Sequence, residues 1–140
     1  MVMECLGPER FSAILPLILT DNGSEFSDPK AIEIAPDATR RTHLFYCDPM
    51  ATNQKARIER NHELLRLILP KRTSFDWLTQ HSLDVVMSHV NSYSRPRLGD
   101  KAPADLFAYT YGSDTLEALG IRRIASNQII LKPELLQTNM

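Results

Sequence analysis

The hydrophobic and polar positions along this 140-residue chain form short apolar runs and longer stretches of helical periodicity. The continuous apolar run from Leu15 to Thr20 predicts a strand that is buried on both faces. Residues 42–47, THLFYC, are rich in β-branched and aromatic side chains and predict a second strand. Both strands are of the interior type, so they require further neighbours, because two strands alone do not make a stable sheet.

Helical periodicity and capping signals account for most of the remaining chain. They predict helices over about 8–13, 28–34, 52–69, 79–93, 103–109 and 113–119, the last of these closed by Gly120. The first long helix is expected to bury Ile58, Leu65 and Leu69. In the second long helix the apolar stripe comprises Leu83, Val86, Met87, Val90 and Tyr93. We expect the terminal segment 127–136, NQIILKPELL, to be short and extended.

Composition adds the class of protein. With 43% hydrophobic and 24% charged residues, the chain is expected to be one soluble globular domain. No apolar stretch approaches the length of a membrane span, and the first residues show no secretory signal pattern. We therefore expect a cytoplasmic protein with no membrane partner. Cys5 and Cys47 lack the spacing of zinc ligands and are expected to be reduced thiols.

The five residues 21–25, DNGSE, that follow the first strand have two interpretations. They could be an ordinary turn, in which Gly23 supplies a positive φ and the Asp and Asn side chains bind the local backbone. Alternatively, the strand holds Asp21 at the carboxyl edge of a sheet, where open α/β sheets place their ligand sites. The second interpretation requires another carboxylate elsewhere in the chain.

The first long helix carries such a carboxylate. Glu59 lies in a stripe with Lys55, His62 and Arg66, at the spacing of one helix face. An i,i+4 ladder from Lys55 to Glu59 would explain this stripe without involving Asp21. If Asp21 and Glu59 converge, their hard oxygen ligands favour Mg²⁺ or Mn²⁺ and metal-dependent phosphoryl transfer.

Charge is unevenly distributed along the chain. The net charge is −1, which does not favour bulk attraction of nucleic acid, yet residues 53–72 contain six basic and only two acidic residues. This excess is a weak signal for phosphate binding. A solvated helix face with i,i+4 pairs explains it equally well.

Three separated segments then agree in order and spacing with one family. Residues 19–26, LTDNGSEF, residues 53–71, NQKARIERNHELLRLILPK, and residues 90–107, VNSYSRPRLGDKAPADLF, together resemble the DDE transposase and retroviral-type integrase core, and especially the bacterial IS30-like transposases. The resemblance covers about 10–110, with a helical extension over about 111–140. It implies a ribonuclease H-like α/β fold with a mixed five-stranded sheet, and Mg²⁺-dependent cleavage and strand transfer at DNA ends.

The resemblance also implies roles for individual residues. Asp21 matches the second acid of the catalytic triad and Glu59 the third, both as ligands of Mg²⁺ or Mn²⁺. The residues expected to contact DNA are Asn22, Lys55, His62 and Arg66 from this resemblance, together with Arg60 and Lys71 from the local excess of basic residues. The implied partners are transposon-end and target DNA, a second copy of the chain or a full-length transposase, in the bacterial cytoplasm at the nucleoid.

The chain departs from the family pattern at its first acid. Asp21 is the first aspartate in the sequence, so the first acid of the triad has no counterpart. We therefore expect a helix-rich C-terminal portion of a transposase that lacks the first strands of the sheet. Such a fragment is expected to be inactive alone and to oligomerise. The alternatives are a non-catalytic module that binds DNA or a transposase partner, and a structural helical domain with incidental acids.

Further residues are expected to serve structure. Because Phe75 and Trp77 directly precede the second long helix, they are expected to anchor a loop against the core. Because His81 and His89 are two helical turns apart, we expect both at the surface. Arg95 and Arg97 are expected in a solvated loop, with a phosphate contact as the alternative.

Overall fold

The computed structural model describes residues 2–48 and 58–138. They belong to two compact units, one within residues 1–56 and the other within 57–140. The described residues form a helix-rich α/β structure in which two strands make a small parallel sheet. The expectation of a single domain with an extension from about residue 111 stays a prediction.

The first unit begins with helix α1, Val2–Ile14, which is interrupted at Gly7. Gly7 has φ 77° and ψ 164°, a conformation that glycine adopts without steric cost. Pro8 follows and begins the second helical segment, as expected for a residue with a fixed φ and no N–H to donate. The predicted helix from Pro8 is thus confirmed, and Leu6 and Phe11 are buried on either side of the break.

The sheet pairs β1, Leu17–Thr20, with β2, His43–Tyr46. The strands are parallel, with Leu17 opposite His43 and Thr20 opposite Tyr46. Parallel strands need a crossover connection. Here that connection contains a 3₁₀ turn, Ser24–Phe26, and helix α2, Pro29–Glu33, whose N-cap Asp28 accepts a bond from the Ala31 N–H.

The prediction that the first strand is buried on both faces is wrong. Leu17 is 58% exposed and Leu19 is 42% exposed, whereas Thr20 is buried. Phe45 of β2, opposite Leu19, is 54% exposed. An apolar run shows that a strand is able to be buried, but burial itself requires neighbouring elements, and the described sheet has two strands.

The second unit is helical. Its helices are α3, Ile58–Ile68; α4, Gln80–Ser92; α5, Pro103–Tyr111; α6, Ser113–Ala118; and α7, Glu134–Thr138. Short 3₁₀ turns occupy Pro96–Leu98 and Ser126–Gln128. The core cluster comprises Leu64, Ile68, Val85, Val86, Val90, Leu135 and Leu136. Helices α3, α4 and α7 therefore share one hydrophobic core.

Helix α4 begins at the predicted cap. Thr79 and Ser82 form a capping box in which each side chain bonds the other residue's backbone N–H. The predicted stripe is only partly right, because Val86 and Val90 are buried whereas Leu83 is 39% exposed. Tyr93, also 37% exposed, is the C-cap and lies beyond the helix.

Two further expectations about burial need correction. In α3 the fully buried side chains are Leu64 and Ile68, while Leu65 and, just after the helix, Leu69 are only partly buried against the core. The core face is therefore rotated from the predicted one, and the Ile58 side chain lies outside the described part. The C-terminal segment is not simply extended, because α7 buries Leu135 and Leu136 immediately after Pro133. Gly120, with φ 78°, follows α6 as predicted.

Candidate metal-binding and DNA-binding residues

Asp21 follows the last residue of β1 and is exposed to solvent. Its Oδ1 accepts a hydrogen bond of 3.1 Å from the backbone N–H of Gly23. This is a local Asx turn, which fixes one carboxylate oxygen and leaves the carboxylate accessible. Gly23 itself has φ −60° and ψ 153°, so the prediction that it supplies a positive φ is wrong.

The end of β2 supports the turn after Asp21. The Tyr46 hydroxyl donates to the carbonyl of Phe26, the last residue of the 3₁₀ turn. The Cys47 N–H donates to Thr20 O at 2.7 Å and extends the parallel ladder by one residue. The backbone on either side of Asp21 is thus held by bonds from the end of β2.

A second acid, Asp48, lies at this edge and was not among the predicted site residues. Because β1 and β2 are parallel, their carboxyl ends meet at the same edge of the sheet. Asp48 comes directly after Cys47 and so follows β2 much as Asp21 follows β1. The repeated pattern of an apolar strand followed by aspartate was the available signal.

The predicted pairing of Asp21 with Glu59 stays a prediction. Glu59 is a residue of α3, but its side chain lies outside the described part of the structure, as does the whole of Lys55. Within residues 2–48 and 58–138, no group of three or more His, Cys, Asp or Glu side chains is arranged to hold a metal ion.

The described members of the predicted DNA-binding set are all exposed. They are Asn22 after β1, Arg60, His62 and Arg66 on α3, and Lys71 after α3. Arg60 forms a 2.8 Å ion pair with Glu63. A surface pair of this kind contributes little to stability, so Arg60 is not committed to a structural role. Exposure is what DNA contact requires, while the contact itself stays a prediction.

Arg95 is not a solvated loop residue, as was predicted, but a buried one. Its relative exposure is 9%, and its guanidinium donates to Asn61 Oδ1, Val90 O and Tyr93 O. Burial lowers the pKa of Arg95, and the nearby positive charge of Arg60 lowers it further. Arg97, in contrast, is exposed as predicted.

His89 also departs from the prediction, whereas His81 is exposed as expected. His89 is 7% exposed, and its Nδ1 accepts a 3.0 Å bond from the backbone N–H of Ile130. The pKa of His89 is lowered by burial, which favours the neutral imidazole. His89 therefore ties the C-terminal segment to α4.

The aromatic side chains between α3 and α4 are not anchored in the core, contrary to the prediction. Phe75 is 37% exposed and Trp77 is 46% exposed. The Trp77 indole N–H donates to Ser74 O at 2.8 Å. Both rings are therefore presented at the surface of the second unit.

The second unit also has a pocket of about 550 Å³. It is lined by His81, Asp84, Val85, Ser88, His89, Glu117, Gly120, Arg122 and Ile124. None of these lining residues belongs to the predicted metal-binding or DNA-binding set.

Comparison with known proteins confirms the resemblance to transposases and integrases. The chain is 32% identical over 90 residues to a protein of Spiroplasma virus SpV1-R8A2 B named as an integrase, ORF3. It is 33% identical over 63 residues to the transposase InsI of insertion sequence element IS30A from Escherichia coli, and 27% identical over 107 residues to the transposase of insertion sequence element IS1086 from Cupriavidus metallidurans. The matched segments cover 64%, 45% and 74% of the present chain.

These matches span only part of each relative, namely 27%, 16% and 30% of their lengths in the same order. No protein-family model matches the chain. No solved structure matches it either. Among the described residues, no helix is long and apolar enough to cross a membrane.

Proposed function

We propose that this chain is part of a transposase core that acts in DNA transposition and integration by metal-dependent phosphoryl transfer. The observation that carries the proposal is the position of Asp21, an exposed acid at the carboxyl end of a strand, in a chain similar to IS30-type transposases. Open α/β sheets place their ligand sites at this edge. The proposed fold is a partial ribonuclease H-like one, which the parallel pairing of β1 and β2 supports.

In this proposal Asp21 and Glu59 are the second and third acids of the triad and hold Mg²⁺ or Mn²⁺. Carboxylate oxygens fit these ions, and Mg²⁺ is commonly held by one or two carboxylates together with water and substrate phosphates. The bound ion would supply activation of the attacking oxygen and stabilisation of the leaving oxygen. The role of the Gly23 N–H is to orient Asp21, since it fixes Oδ1.

In this proposal the basic residues bind the DNA substrate. Arg66 and Lys71 are exposed on and just after α3, the helix that also carries Glu59. Lysine and arginine neutralise backbone phosphates and so position DNA without reading its sequence. Asn22, Lys55, Arg60 and His62 are the further residues that we propose to contact DNA.

The first acid of the triad has no counterpart in this sequence, and this limits the activity that we propose for the chain by itself. The acids that precede Asp21 are Glu4 and Glu9, and both belong to helix α1. Loss of one essential metal ligand removes orders of magnitude in rate. We therefore propose that the 140-residue chain alone is inactive or nearly so in DNA cleavage, although it retains two ligand positions.

Metal affinity tests the proposal most directly. Asp21→Asn and Glu59→Gln should each weaken Mn²⁺ binding, measured by electron paramagnetic resonance, by about tenfold or more. Asp37→Asn is a matched control, because Asp37 Oδ1 accepts from the Thr39 N–H at 3.1 Å in an equivalent exposed turn. Glu63→Gln is the control within α3. Mn²⁺ binding that is unchanged in Asp21→Asn and Glu59→Gln would refute the metal site.

Cleavage of a labelled DNA end gives the second readout. We expect no Mg²⁺- or Mn²⁺-dependent nicking above background for the chain alone. Nicking that is present and is abolished by Asp21→Ala and by Glu59→Ala would show that the chain is active, contrary to the proposal.

A non-catalytic module that binds DNA or a transposase partner is the second candidate. The exposed cations Arg66 and Lys71 favour it, because phosphate binding needs no metal. It predicts salt-sensitive DNA binding that is unaffected by Asp21→Asn. The two candidates are therefore separated by the metal-binding variants.

A further inference from the structure

The connection between α3 and α4, residues 70–79, presents two aromatic rings to solvent. Phe75 is 37% exposed and Trp77 is 46% exposed. Aromatic side chains contribute strongly to stability when they are buried. Two of them at the surface, within three residues of each other, indicate a surface for a ligand with flat apolar groups. We call residues 70–79 the aromatic loop.

The aromatic loop is built from two consecutive turns. Thr73 Oγ1 donates to Pro70 O at 2.5 Å, and this turn presents Lys71 and Arg72. The Leu78 N–H donates to Phe75 O at 3.0 Å, and this turn presents Trp77. Leu78 is partly buried against the hydrophobic core, and Thr79 caps α4. Both ends of the loop are thus anchored while its middle faces water.

The Trp77 ring is held in a defined orientation. Its Nε1–H donates to Ser74 O at 2.8 Å within the same loop. Indole has one polar group, a donor, so this bond satisfies it internally. The part of the ring that remains for a ligand is aromatic surface, which suits stacking rather than hydrogen-bond recognition.

The charges of the aromatic loop indicate which kind of ligand with flat groups it binds. Lys71 and Arg72 are both exposed, and Arg66 is exposed in the last turn of α3. The acid of the loop is Asp76, whose Oδ2 accepts from Ser74 Oγ at 3.2 Å. Exposed aromatic rings beside cations are the combination that binds single-stranded nucleic acid, since bases stack on the rings and phosphates contact the cations.

We infer that the aromatic loop binds an unpaired stretch of DNA, with a base stacked on Trp77 and the adjoining phosphates on Lys71 and Arg72. The identity of the ligand as DNA rests on the proposed function. Stacking requires an accessible base face, so the loop favours unpaired nucleotides over the interior of a duplex. Phe75 supplies a second ring for a neighbouring base.

Intrinsic fluorescence provides a selective readout, because Trp77 is the one tryptophan of the sequence. The chain is titrated with a single-stranded oligonucleotide of about ten nucleotides and with a duplex of the same sequence. We expect saturable quenching by the single strand and much weaker quenching by the duplex. Unchanged fluorescence with the single strand, or an equal response to the duplex, would overturn the inference.

Variants test whether the ring carries the affinity. Trp77→Leu should weaken binding of a labelled single strand by about 5-fold to 100-fold, the effect of removing one base–aromatic stack. Trp77→Phe keeps a ring and should bind within a few-fold of the wild type. Tyr109→Leu is the matched control, because Tyr109 is 92% exposed on α5 and has no place in the loop. Thermal unfolding followed by circular dichroism establishes that all variants are folded.

A protein partner is the competing occupant of this surface. If Trp77→Leu changes sedimentation of the chain and leaves affinity for the single strand unchanged, the loop is a protein interface and the inference is wrong. The Mn²⁺ measurements on Asp21→Asn and Glu59→Gln do not involve the loop. Failure of stacking and failure of the proposed metal site are therefore distinguishable.

Discussion

The Arg95 guanidinium lies 2.9 Å from the side-chain oxygen of Asn61 and joins the segment after α4 to α3. The same guanidinium donates to Val90 O at 3.0 Å and to Tyr93 O at 3.2 Å. Carbonyls at the end of a helix lack partners within the helix. Arg95 therefore satisfies carbonyl groups at the end of α4. It also binds α3 at Asn61, which lies two residues after Glu59.

Removal of the acceptor on α3 should destabilise the second unit. We expect Asn61→Ala to lower the free energy of unfolding by about 1–3 kcal/mol, because a largely buried guanidinium loses one acceptor. Asn61→Asp keeps an acceptor and should be tolerated better. Urea unfolding followed by circular dichroism measures both.

Arg97→Gln provides the control for this contact. Arg97 is exposed in the same segment, and its replacement should change the free energy of unfolding by less than about 0.5 kcal/mol. Equal stability of Asn61→Ala and wild type would show that the Arg95–Asn61 bond contributes nothing to folding.

Burial of His89 predicts a loss of stability in acid. Its pKa is lowered in the folded state, so the unfolded chain, with an ordinary histidine pKa of about 6.5, binds the proton more readily. The free energy of unfolding should therefore fall as the pH drops below about 6.5, until the folded-state pKa has been passed. Protonation also removes the Nδ1 acceptor of the Ile130 N–H.

Urea unfolding at a series of pH values between about 7 and 5 measures this effect. His89→Gln should flatten the pH dependence over this range. His81→Gln serves as the control because His81 is exposed on the same helix. A pH dependence that survives His89→Gln and disappears in His81→Gln would contradict the prediction, because His81 and not His89 would then be its source.

The observed core face of α3 is testable with two leucines of the same helix. Leu64 is 1% exposed and Leu67 is 51% exposed. Leu64→Ala should destabilise the chain by about 2–5 kcal/mol, because it removes buried apolar atoms and leaves a cavity. Leu67→Ala has the same change in helix propensity and should cost far less. Similar unfolding midpoints for the two variants in urea would contradict this core face.

Salt dependence reports the phosphate contacts of the proposed DNA surface. Each neutralised phosphate contributes about −0.9 to the slope of log K against log salt for duplex DNA. Arg66→Gln and Lys71→Gln should each reduce the steepness of this slope by nearly that amount. Lys132→Gln, a change of another exposed lysine of the second unit, should leave it unchanged. Fluorescence anisotropy of a labelled duplex gives the slopes, and equal slopes would exclude both cations from the contact.

Local signals in the sequence located most of the elements, although helix α7 was expected to be extended. The Thr79 cap, Gly120 after α6 and the second strand were all predicted from neighbouring residues. These features depend on dihedral preferences and on hydrogen bonds between residues a few positions apart, which the sequence displays directly. The aspartate after the first strand could be identified for the same reason.

Burial could not be derived in this way. The arginine of the segment after α4 was expected in solvent, and it is buried because an acceptor 34 residues away, Asn61, meets it. His89 is buried because the backbone of Ile130, 41 residues away, supplies its partner. Leu17 is exposed although its neighbours are apolar. In each case the outcome depends on contacts between distant parts of the chain.

The sequence by itself determined where most of the helices and strands lie, which acids and cations are available for chemistry, and the similarity to transposases. Only the tertiary structure decided which faces are covered, that both strands end at one edge beside Asp21 and Asp48, and that Trp77 is presented to solvent. The physical reason is the distance along the chain over which each effect acts. Backbone preferences act over a few residues, whereas exclusion of water is decided by whichever distant segments pack together.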